Sequence, residues 1–339
     1  MARVTLRDVA EHAGVSTATV SNALNRPELL HRRTLQRVQA AIERTGYVSD
    51  ESAKQLRKGV GRAIGLIVFD TGNPFFAELA RGAEDAAARR GLYVLLANSR
   101  GNPERETEYI RFMGSQRVRG LIVAPAGDIS RAAHDFADRD APFVMLGEAE
   151  REVPFPTISG DDTRGGMMAA RHLLDLGRRR IAWVGGPLTV SQLAHRLAGA
   201  RAAVAEVPDA ALSHVPTETQ DIEAGIAAGE RLLALPAGER PDAVQAGTDL
   251  LALGVIQALQ RDGRLRVPED VAVIGYDDMP FAASVSVPLS TVRHPTSLMG
   301  KTAIDLLLDE TPAEDTARRH LVFLPEIVVR ASTAPPPPA

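Results

Sequence analysis

The sequence predicts an α/β protein in which an all-α helix-turn-helix headpiece precedes a core of two doubly wound parallel-sheet lobes. Apolar residues recur at helical spacing through the first 46 residues, with a glycine break between two short segments. From Ala63 onward, apolar runs of strand length alternate with amphipathic helical segments, and this alternation starts again near residue 160. Strands that are apolar throughout are typical of parallel sheets that are covered on both faces.

The headpiece begins with a capped helix. Thr5 is a good N-cap residue with Asp8 three positions later, and the apolar stripe that follows consists of Leu6, Val9, Ala10 and Ala13. Gly14 breaks this helix. Ser16 then caps a second helix, whose buried stripe consists of Val20, Ala23 and Leu24. These two helices and their glycine turn predict a DNA-reading unit.

The outer face of the second helix carries short side chains, namely Thr17, Ala18, Ser21, Asn22 and Asn25. In the major groove, Asn pairs with adenine and small methyl groups pack on thymine. The first 60 residues hold ten Lys or Arg and six Asp or Glu, whereas the remainder holds 29 and 37. A basic head on an acidic body favours phosphate binding by the head over the alternative of an ordinary helical hairpin.

A third amphipathic helix, built on Leu35, Val38, Ala41 and Ile42, is predicted to end near Gly46. His31, Arg32 and Arg33 place positive charge at its N-terminus, where the helix dipole favours anions. We therefore predict that these three side chains contact DNA phosphates. The alternative is that all three are simply solvated.

The segment from residue 49 to residue 62 is polar and basic, with Leu56 as the one large apolar side chain of its predicted short helix. Such a helix has no core of its own and is marginal in isolation. We predict that it folds when docked on DNA and that Leu56 acts as a wedge in the minor groove. A flexible linker is the alternative.

The core is predicted as two similar lobes that meet near residues 154–160. Predicted strands lie at 63–70, 93–99, 120–126, 142–148, 180–186, 212–216, 242–248, 271–278, 291–295 and 322–330, and predicted helices lie at 74–90, 104–116, 131–139, 163–176, 191–207, 221–235, 249–262 and 296–309. Trp183, in the middle of a strand, is expected in the core. The pattern is that of parallel sheets whose helices cover both faces.

Ligands of parallel α/β sheets bind outside the carboxyl ends of the strands. Residues that follow predicted strands include an aromatic ring, charged groups and hydrogen-bonding groups: Asn73, Phe75, Gln192, Arg196, Thr248 and Asp277. An aromatic plate with charge-assisted hydrogen bonds suits a polyhydroxylated ligand. We therefore predict that these six residues bind a sugar or a related small molecule.

Catalysis, metal binding and cofactor binding are not expected. The sequence has no nucleophile elbow, phosphate-binding loop or metal-protease motif, its eight histidines are scattered, and it has no cysteine. No run approaches the roughly 20 apolar residues that a membrane span needs. Because Met1 leads directly into a capped helix, we also expect no export signal and a cytoplasmic location.

Six stretches carry a family resemblance: TLRDVAEHAGVSTATVSNALN, ERTGYVSDESAKQLRKG, NPFFAELARGAEDAA, RLAG, DLLALGVIQALQRDGRLRVPEDVAVIGYDD and PLSTVRHP. The chain resembles the LacI/GalR family of bacterial transcriptional regulators over essentially its whole length. The resemblance implies a DNA-binding headpiece, a hinge helix whose Leu opens a palindromic operator, and a periplasmic-binding-protein-like core that binds an effector and dimerises. By position, the resemblance makes Thr17, Ala18, Asn22 and Asn25 base readers and Leu56 the minor-groove lever. The predicted DNA-binding residues in full are Thr5, Ser16, Thr17, Ala18, Thr19, Ser21, Asn22, Asn25, His31, Arg32, Arg33 and Leu56.

The same resemblance makes Arg196 and Asp277 the pair that holds the ligand. Several positions depart from the family pattern. Asn22 stands where Arg is frequent, His31 replaces a frequent Ser cap, and Thr248 stands where Asn is frequent; Ser49 and Asp50 also replace the usual Pro and Asn. These departures predict a different half-site and a ligand other than the commonest sugars. A tetramer-forming C-terminal helix is absent from the sequence, which points to a homodimer.

The predicted boundaries are a headpiece at 1–48, a hinge at 49–62, a first lobe at 63–156 plus 291–320, a second lobe at 157–290 plus 321–332, and a disordered Pro-rich tail at 333–339. The predicted function is repression of transcription by a dimer that binds a palindromic double-stranded operator under the control of a sugar-like effector. A solute-binding receptor for sugar transport is the alternative, and an enzyme on the same scaffold is the third interpretation.

Overall fold

The structure is a computed structural model that describes residues 4–47, 61–125, 127–138, 141–147, 153, 155–261, 265–309 and 319–334. The chain forms two compact units, Met1–Gly61 and Arg62–Ala339. Within the described residues, no helix is both long and apolar enough to cross a membrane. The predicted hinge residues Ser49, Asp50 and Leu56 lie outside the described residues.

The first unit is a bundle of three short helices. Its elements are α1 (Leu6–Ala13), α2 (Thr17–Asn25), a 3₁₀ turn (Pro27–Leu29) and α3 (Arg32–Thr45). The small core consists of the predicted apolar stripes, with Val9, Ala10, Ala13, Val20, Val38 and Ala41 buried. Gly14 and Gly46 end α1 and α3 in the left-handed conformation, with φ of 61° and 63°. The predicted helix-turn-helix is confirmed.

The second unit contains the two α/β lobes. Its strands are β1 (Ala63–Val68), β2 (Tyr93–Asn98), β3 (Leu121–Val123), β4 (Phe143–Leu146), β5 (Thr157–Gly160), β6 (Arg180–Gly185), β7 (Ala211–Pro216), β8 (Ala243–Ala246), β9 (Ala272–Ile274), β10 (Thr291–Arg293), β11 (His320–Phe323) and β12 (Glu326–Val328). Its helices are α4 (Pro74–Ala88), α5 (Pro103–Ser115), α6 (Ser130–Ala137), α7 (Asp162–Asp175), α8 (Ser191–Ala205), α9 (Ile222–Ala234), α10 (Asp249–Gln260) and α11 (Thr296–Leu307).

The first lobe is built on a six-stranded parallel sheet in the order β11-β5-β4-β3-β1-β2. Alternate residues of β1 belong to separate apolar clusters: Ile64 and Leu66 pack with residues of α4 and α11, whereas Ile67 packs with residues of α5 and α6. The sheet is therefore covered on both faces, as its continuous apolar strands predict.

The second lobe has a four-stranded parallel sheet in the order β7-β6-β8-β9. Trp183 is fully buried in this lobe, as predicted. Helices α7 and α8 lie in backbone contact, because a Cβ on Gly166 would overlap the carbonyl of Arg196 and a Cβ on Gly199 would overlap that of Thr163. This close approach brings the N-terminal end of α7 beside Arg196.

The sheet order corrects the predicted lobe boundaries. Strand β5 pairs with β4 and β11 pairs with β5, so Thr157–Gly160 and His320–Phe323 belong to the first lobe and not to the second. The chain passes between the lobes after Gly160 and again through the antiparallel pair of β10 and β12. The sequence pattern marks strands but not the sheet that each strand joins, which explains the error.

The predicted start of the disordered tail is also wrong. Thr333 is buried, and its hydroxyl lies 2.7 Å from the hydroxyl of Ser290 and 2.8 Å from Nε2 of His172. These bonds attach the segment to the second lobe. The remaining predicted tail from residue 335 to residue 339 lies outside the described residues.

Candidate functional site

The second helix of the headpiece carries most of the predicted DNA-binding residues, and its cap holds its first turn in place. The Ser16 hydroxyl accepts a hydrogen bond from the Thr19 amide at 3.1 Å and lies 2.9 Å from the Thr19 hydroxyl. Exposed and half-buried side chains line the helix and its cap: Ser16, Thr17, Ala18, Asn22 and Asn25 are exposed, whereas Thr19 and Ser21 are half-buried. The exposed groups are short, so a nucleic-acid base edge can approach the helix backbone closely.

The two asparagines of this face are in different states. The Asn25 amide donates to the Ser21 carbonyl of its own helix at 2.8 Å, which occupies one of its hydrogens. Within the described residues, the Asn22 side chain makes no hydrogen bond. Asn22 therefore has its full donor and acceptor set available to a partner, as bidentate pairing with adenine requires.

Arg37 on α3 holds the turn between the first two helices, and the sequence reasoning missed it. Its Nη2 donates to the carbonyl of Ala13 at 2.6 Å and to that of Gly14 at 3.2 Å. These are carbonyls at the end of α1, where cations are favourable. The contact joins residues 23 and 24 positions apart, so no local sequence signal marks it.

The predicted phosphate-binding end of α3 is open. His31 is its N-cap residue without a side-chain cap bond, the first turn holds no acidic residue, and His31, Arg32 and Arg33 are exposed. Thr5 is different, because its hydroxyl donates to the Asp8 carboxylate at 2.9 Å and its amide donates to the same oxygen at 2.7 Å. Any contact of Thr5 with DNA therefore competes with its capping box.

The predicted ligand residue Arg196 lies at the carboxyl ends of the second-lobe strands, buried with 7% exposure. Its Nε donates to Asp162 at 2.8 Å, its Nη1 donates to the carbonyl of Gly247 at 2.7 Å, and its Nη2 lies 3.4 Å from Asp277. The guanidinium carbon lies 3.5 Å from the centre of the Tyr276 ring, a cation–π geometry. One guanidinium thus holds two carboxylates together.

The two carboxylates beside Arg196 have different pKa shifts. Burial favours protonation of Asp162, but Arg196 and the neighbouring His294 outweigh it, so that the pKa of Asp162 is lowered. Burial raises the pKa of Asp277 to about 6, although Arg196 acts in the opposite direction. Burial disfavours the charge of Arg196, yet Asp162 and Asp277 raise its pKa above the ordinary value. Asp277 is therefore the incompletely compensated member of the triad.

Asp277 and Asp278 lie in a strained turn after β9. Both have positive φ, at 107° and 50°, in a region that non-glycine residues rarely adopt. Asp278 is held from two sides, because Arg330 donates to it at 2.7 Å and Arg293 donates to it at 3.3 Å. Arg293 and Arg330 lie on the segments that include β10 and follow β12. The segments that connect the lobes thus fix the turn that presents Asp277.

A cavity of about 400 Å³ lies between the lobes beside this turn. It brings together two of the six predicted ligand residues, Phe75 from the first lobe and Asp277 from the second. Arg196 lies behind Asp277 and does not line the cavity. The remaining lining residues are Pro74, Glu78, Asp278, Met279, Pro280, Arg293, His294, Pro295, Thr296, Ser297 and Leu298.

The other three predicted ligand residues lie away from this cavity wall. Asn73 caps α4, with its Oδ1 accepting from the Phe75 amide at 2.9 Å. Thr248 is buried as the N-cap of α10. Gln192 at the start of α8 reaches across to the first lobe, since a Cβ on Gly147 would lie 3.5 Å from its amide nitrogen. The six residues therefore surround the interlobe cleft without meeting at one point.

Comparisons with known proteins decide the family. A model described as bacterial regulatory proteins, lacI family, matches residues 5–50, and one described as a periplasmic binding protein-like domain matches residues 170–333. The HTH-type transcriptional repressor PurR of Aliivibrio fischeri (strain MJ11) is 33% identical over 97% of this chain and 98% of that protein. The chain belongs to the LacI family.

Other regulators are similar to this chain over 80% or more of its length. The ribose operon repressor of Escherichia coli (strain K12) is 33% identical over 97% of this chain and 99% of that protein. The crystal structure of the Lac repressor dimer bound to operator and the anti-inducer ONPF has a TM-score of 0.83 at 26% identity, over 98% and 99% of the two chains. A LacI-family regulator from Enterococcus faecium with bound ribose has a TM-score of 0.70 at 29% identity, over 80% and 99%.

Three cleft residues of this LacI-family protein escaped the sequence reasoning: Asp162, Tyr276 and His294. His294 is 4% exposed and its Nε2 lies 3.0 Å from the Tyr276 hydroxyl. Its ring occupies space that a Cβ on Gly160 would overlap, and its Nδ1 has no hydrogen-bond partner among the described residues. The sequence shows that Gly160 has no side chain and that Asp162 carries a carboxylate. It does not show that both residues lie against His294, which is distant along the chain.

Proposed function

We propose that this protein is a transcriptional repressor that binds a palindromic operator as a homodimer and releases it when a sugar-like effector enters the interlobe cleft. The observation that carries the DNA-binding part is the exposed face of short side chains on α2, where Asn22 makes no side-chain hydrogen bond with any residue that the structure describes. Membership of the LacI family supports it, because the relatives are repressors. The family match over residues 5–50 also argues against the alternative of a solute-binding receptor for transport.

We propose the roles of the individual headpiece residues as follows. Thr17, Ala18, Asn22 and Asn25 read base edges, whereas His31, Arg32 and Arg33 contact phosphates at the open end of α3. Ser16 and Thr19 position the helix through their cap, and Thr5 does the same for α1. Leu56, outside the described residues, is proposed as the minor-groove wedge on its sequence alone.

The homodimer is supported by an apolar surface at the edge of the first-lobe sheet. Strand β2 is the edge strand after β1, and its Tyr93 and Leu96 are 62% and 48% exposed. Phe112 on α5 adds an exposed ring at 55%. Exposed apolar edge strands pair with other chains. We propose this edge as a dimer contact, since the similar Lac repressor structure is a dimer.

Leu96→Glu is expected to lower the mass measured by sedimentation to that of a monomer.

The effector is proposed to be a sugar that binds in the cavity lined by Phe75 and Asp277, with Arg196 holding Asp277 from behind. Ligand contacts of Asn73, Gln192 and Thr248 remain predictions from the sequence. Two similar structures contain ribose and cellobiose, and one relative is a ribose operon repressor. We propose that the protein acts by binding and not by catalysis, in the cytoplasm where it meets DNA. Closure of the lobes on the ligand would change the placement of the segments that precede β1, which links cleft occupancy to DNA affinity.

The test of DNA reading is a selection of operator sequences from a random pool, followed by affinity measurements at one fixed salt concentration. We expect Asn22→Ala to weaken operator binding by roughly 10- to 100-fold and to leave non-specific binding unchanged, because a bidentate base contact contributes about 1–3 kcal/mol. Gln39→Ala, an exposed position on α3, is the matched control. Equal losses on operator and random DNA would overturn the role of α2.

A further inference from the structure

We propose that the interlobe cavity takes an uncharged, hydroxyl-rich ligand and rejects the phosphorylated and carboxylated derivatives of that ligand. The proposal rests on the proposed function, because it assigns the effector to the cavity beside Asp277. It narrows the effector from sugars and their derivatives in general to the uncharged ones. Four features of the cleft carry it, namely an excess of buried carboxylate, the pairing of the arginines that the structure describes near the cavity, the position of His294 and the hydrogen-bonding polarity of the wall.

The ion cluster of Asp162, Arg196 and Asp277, of which Asp277 lines the cavity, has more carboxylates than guanidinium groups. Arg196 contacts Asp162 at 2.8 Å and Asp277 at 3.4 Å, and all three side chains are less than one tenth exposed. One positive and two negative charges remain when all are ionised. A ligand anion placed against Asp277 would add a further negative charge beside a buried carboxylate.

The other cations near the cavity are already paired. Arg293 is the one Lys or Arg among the described residues that line it, and it contacts Asp278 at 3.3 Å and Glu326 at 2.7 Å. Arg330, behind Asp278, contacts that carboxylate at 2.7 Å. A phosphate or carboxylate on a ligand would therefore compete with existing carboxylates for each guanidinium.

His294 does not supply the missing positive charge at the cavity wall. Its Nε2 is directed toward the Tyr276 hydroxyl at 3.0 Å and lies 3.8 Å from Asp162. Its Nδ1 is buried against Gly160. Both ring nitrogens are therefore directed into the protein, and neither is offered to a ligand anion in the cavity.

The wall instead offers acceptors for ligand donors. The carboxylate of Asp277 is an acceptor of hydrogen bonds, and ligand hydroxyls that donate to it would stabilise its charged form. Burial raises the pKa of Asp277 to about 6, and hydrogen bonds from ligand hydroxyls would replace part of the solvation that this carboxylate has lost. Phe75, half-buried on the opposite lobe, offers an apolar surface to the C–H face of a sugar ring.

The experiment is a binding panel of matched ligands measured on the full chain by thermal shift and calorimetry. Each neutral sugar is paired with its charged forms: ribose with ribose 5-phosphate and ribonate, glucose with glucose 6-phosphate and gluconate, and cellobiose with cellobionate. We expect binding among the neutral members, with each charged counterpart at least about 100-fold weaker, because like-charge juxtaposition costs several kcal/mol. A charged member that binds as tightly as its neutral counterpart would overturn the proposal.

Asp277→Asn separates the charge effect from shape, because it keeps the size of the side chain and removes the excess charge. We expect its neutral-to-charged affinity ratio to fall at least about 10-fold below that of the parent, a change of about 1.4 kcal/mol. Asp270→Asn, which alters a surface pair with Arg266, should leave the ratio unchanged. An unchanged ratio in Asp277→Asn would refute the electrostatic origin.

The panel also distinguishes this inference from the proposed function. Tight binding of a charged sugar that also alters operator affinity would overturn the charge selection and leave the effector site intact. If a chain that still binds operator takes no member of any pair, the assignment of a sugar effector to this cavity falls, and the charge selection falls with it.

Discussion

The headpiece and the interlobe cleft use polar residues in opposite ways. Thr17, Ala18 and Asn22 are exposed on a helix whose core lies on its other face. Asp162 and Arg196 are buried and satisfied by each other. The side chains of the headpiece face therefore remain available to an outside partner, whereas the charged groups of the cleft are already paired with one another. Substitutions on the first surface should change binding with little effect on folding, and those in the second should change both.

Arg196 gives the largest expected effect on stability. Arg196→Met keeps much of the apolar volume but leaves Asp162 and Asp277 buried without their cation, so we expect the free energy of unfolding to fall by about 3–5 kcal/mol. Urea unfolding of the full chain measures it. The control is Arg266→Met, which breaks an exposed pair with Asp270 and should lower the free energy of unfolding far less. Equal losses of unfolding free energy in the two variants would contradict the prediction that the buried ion pairs stabilise the fold more than the exposed one.

Asp277 gives the next effect, and it depends on pH. The folded protein raises the pKa of Asp277 to about 6 from its ordinary 3.8, so between these values the folded state binds a proton that the unfolded state has lost. Stability from this group is therefore present at low pH and is lost as the pH rises through about 6. Relative to the parent, Asp277→Asn should gain roughly 2–3 kcal/mol between about pH 4 and pH 7. A difference in unfolding free energy between Asp277→Asn and the parent that does not vary with pH would contradict the raised pKa of Asp277.

Thr5 gives the smallest expected effect, which concerns the stability of the first headpiece helix. Thr5→Ala removes the bonds of the Thr5 hydroxyl with the Asp8 amide and carboxylate, keeps the bond from the residue-5 amide to Asp8, and should destabilise α1 by about 1 kcal/mol. Hydrogen exchange in the full chain should show faster exchange of the Val9 amide by roughly 5-fold. Arg7→Ala, in an exposed pair with Glu11 on the same helix, is the control and should leave this rate unchanged.

The headpiece could be predicted from sequence because its determinants are local. The bonds that begin its first two helices join residues three positions apart, Thr5 with Asp8 and Ser16 with Thr19. Strands and helices of the core were predictable for the same reason, since periodicity within each segment indicates its type. Arg37 is the exception in the headpiece, because its contacts with the first turn span more than 20 residues.

The cleft was only partly predictable because its contacts are distant in sequence. Arg196 and Asp277 follow strands and were found, but Asp162 is 34 residues from Arg196, and His294 is 18 residues from Tyr276. Their meeting depends on the close approach of α7 and α8 and on the turn between β9 and β10. The sheet membership of β5 and β11 is non-local in the same way, since it depends on partners and not on the strand sequence.

The most direct test of the account is operator affinity of the full-length chain with and without the neutral sugar that the panel identifies. Fluorescence anisotropy at one salt concentration, on an operator and on random DNA, measures both surfaces at once. The account predicts a lower operator affinity in the presence of the sugar and no change on random DNA. Operator affinity that stays the same when the cleft is saturated would contradict the coupling of the cleft to the headpiece.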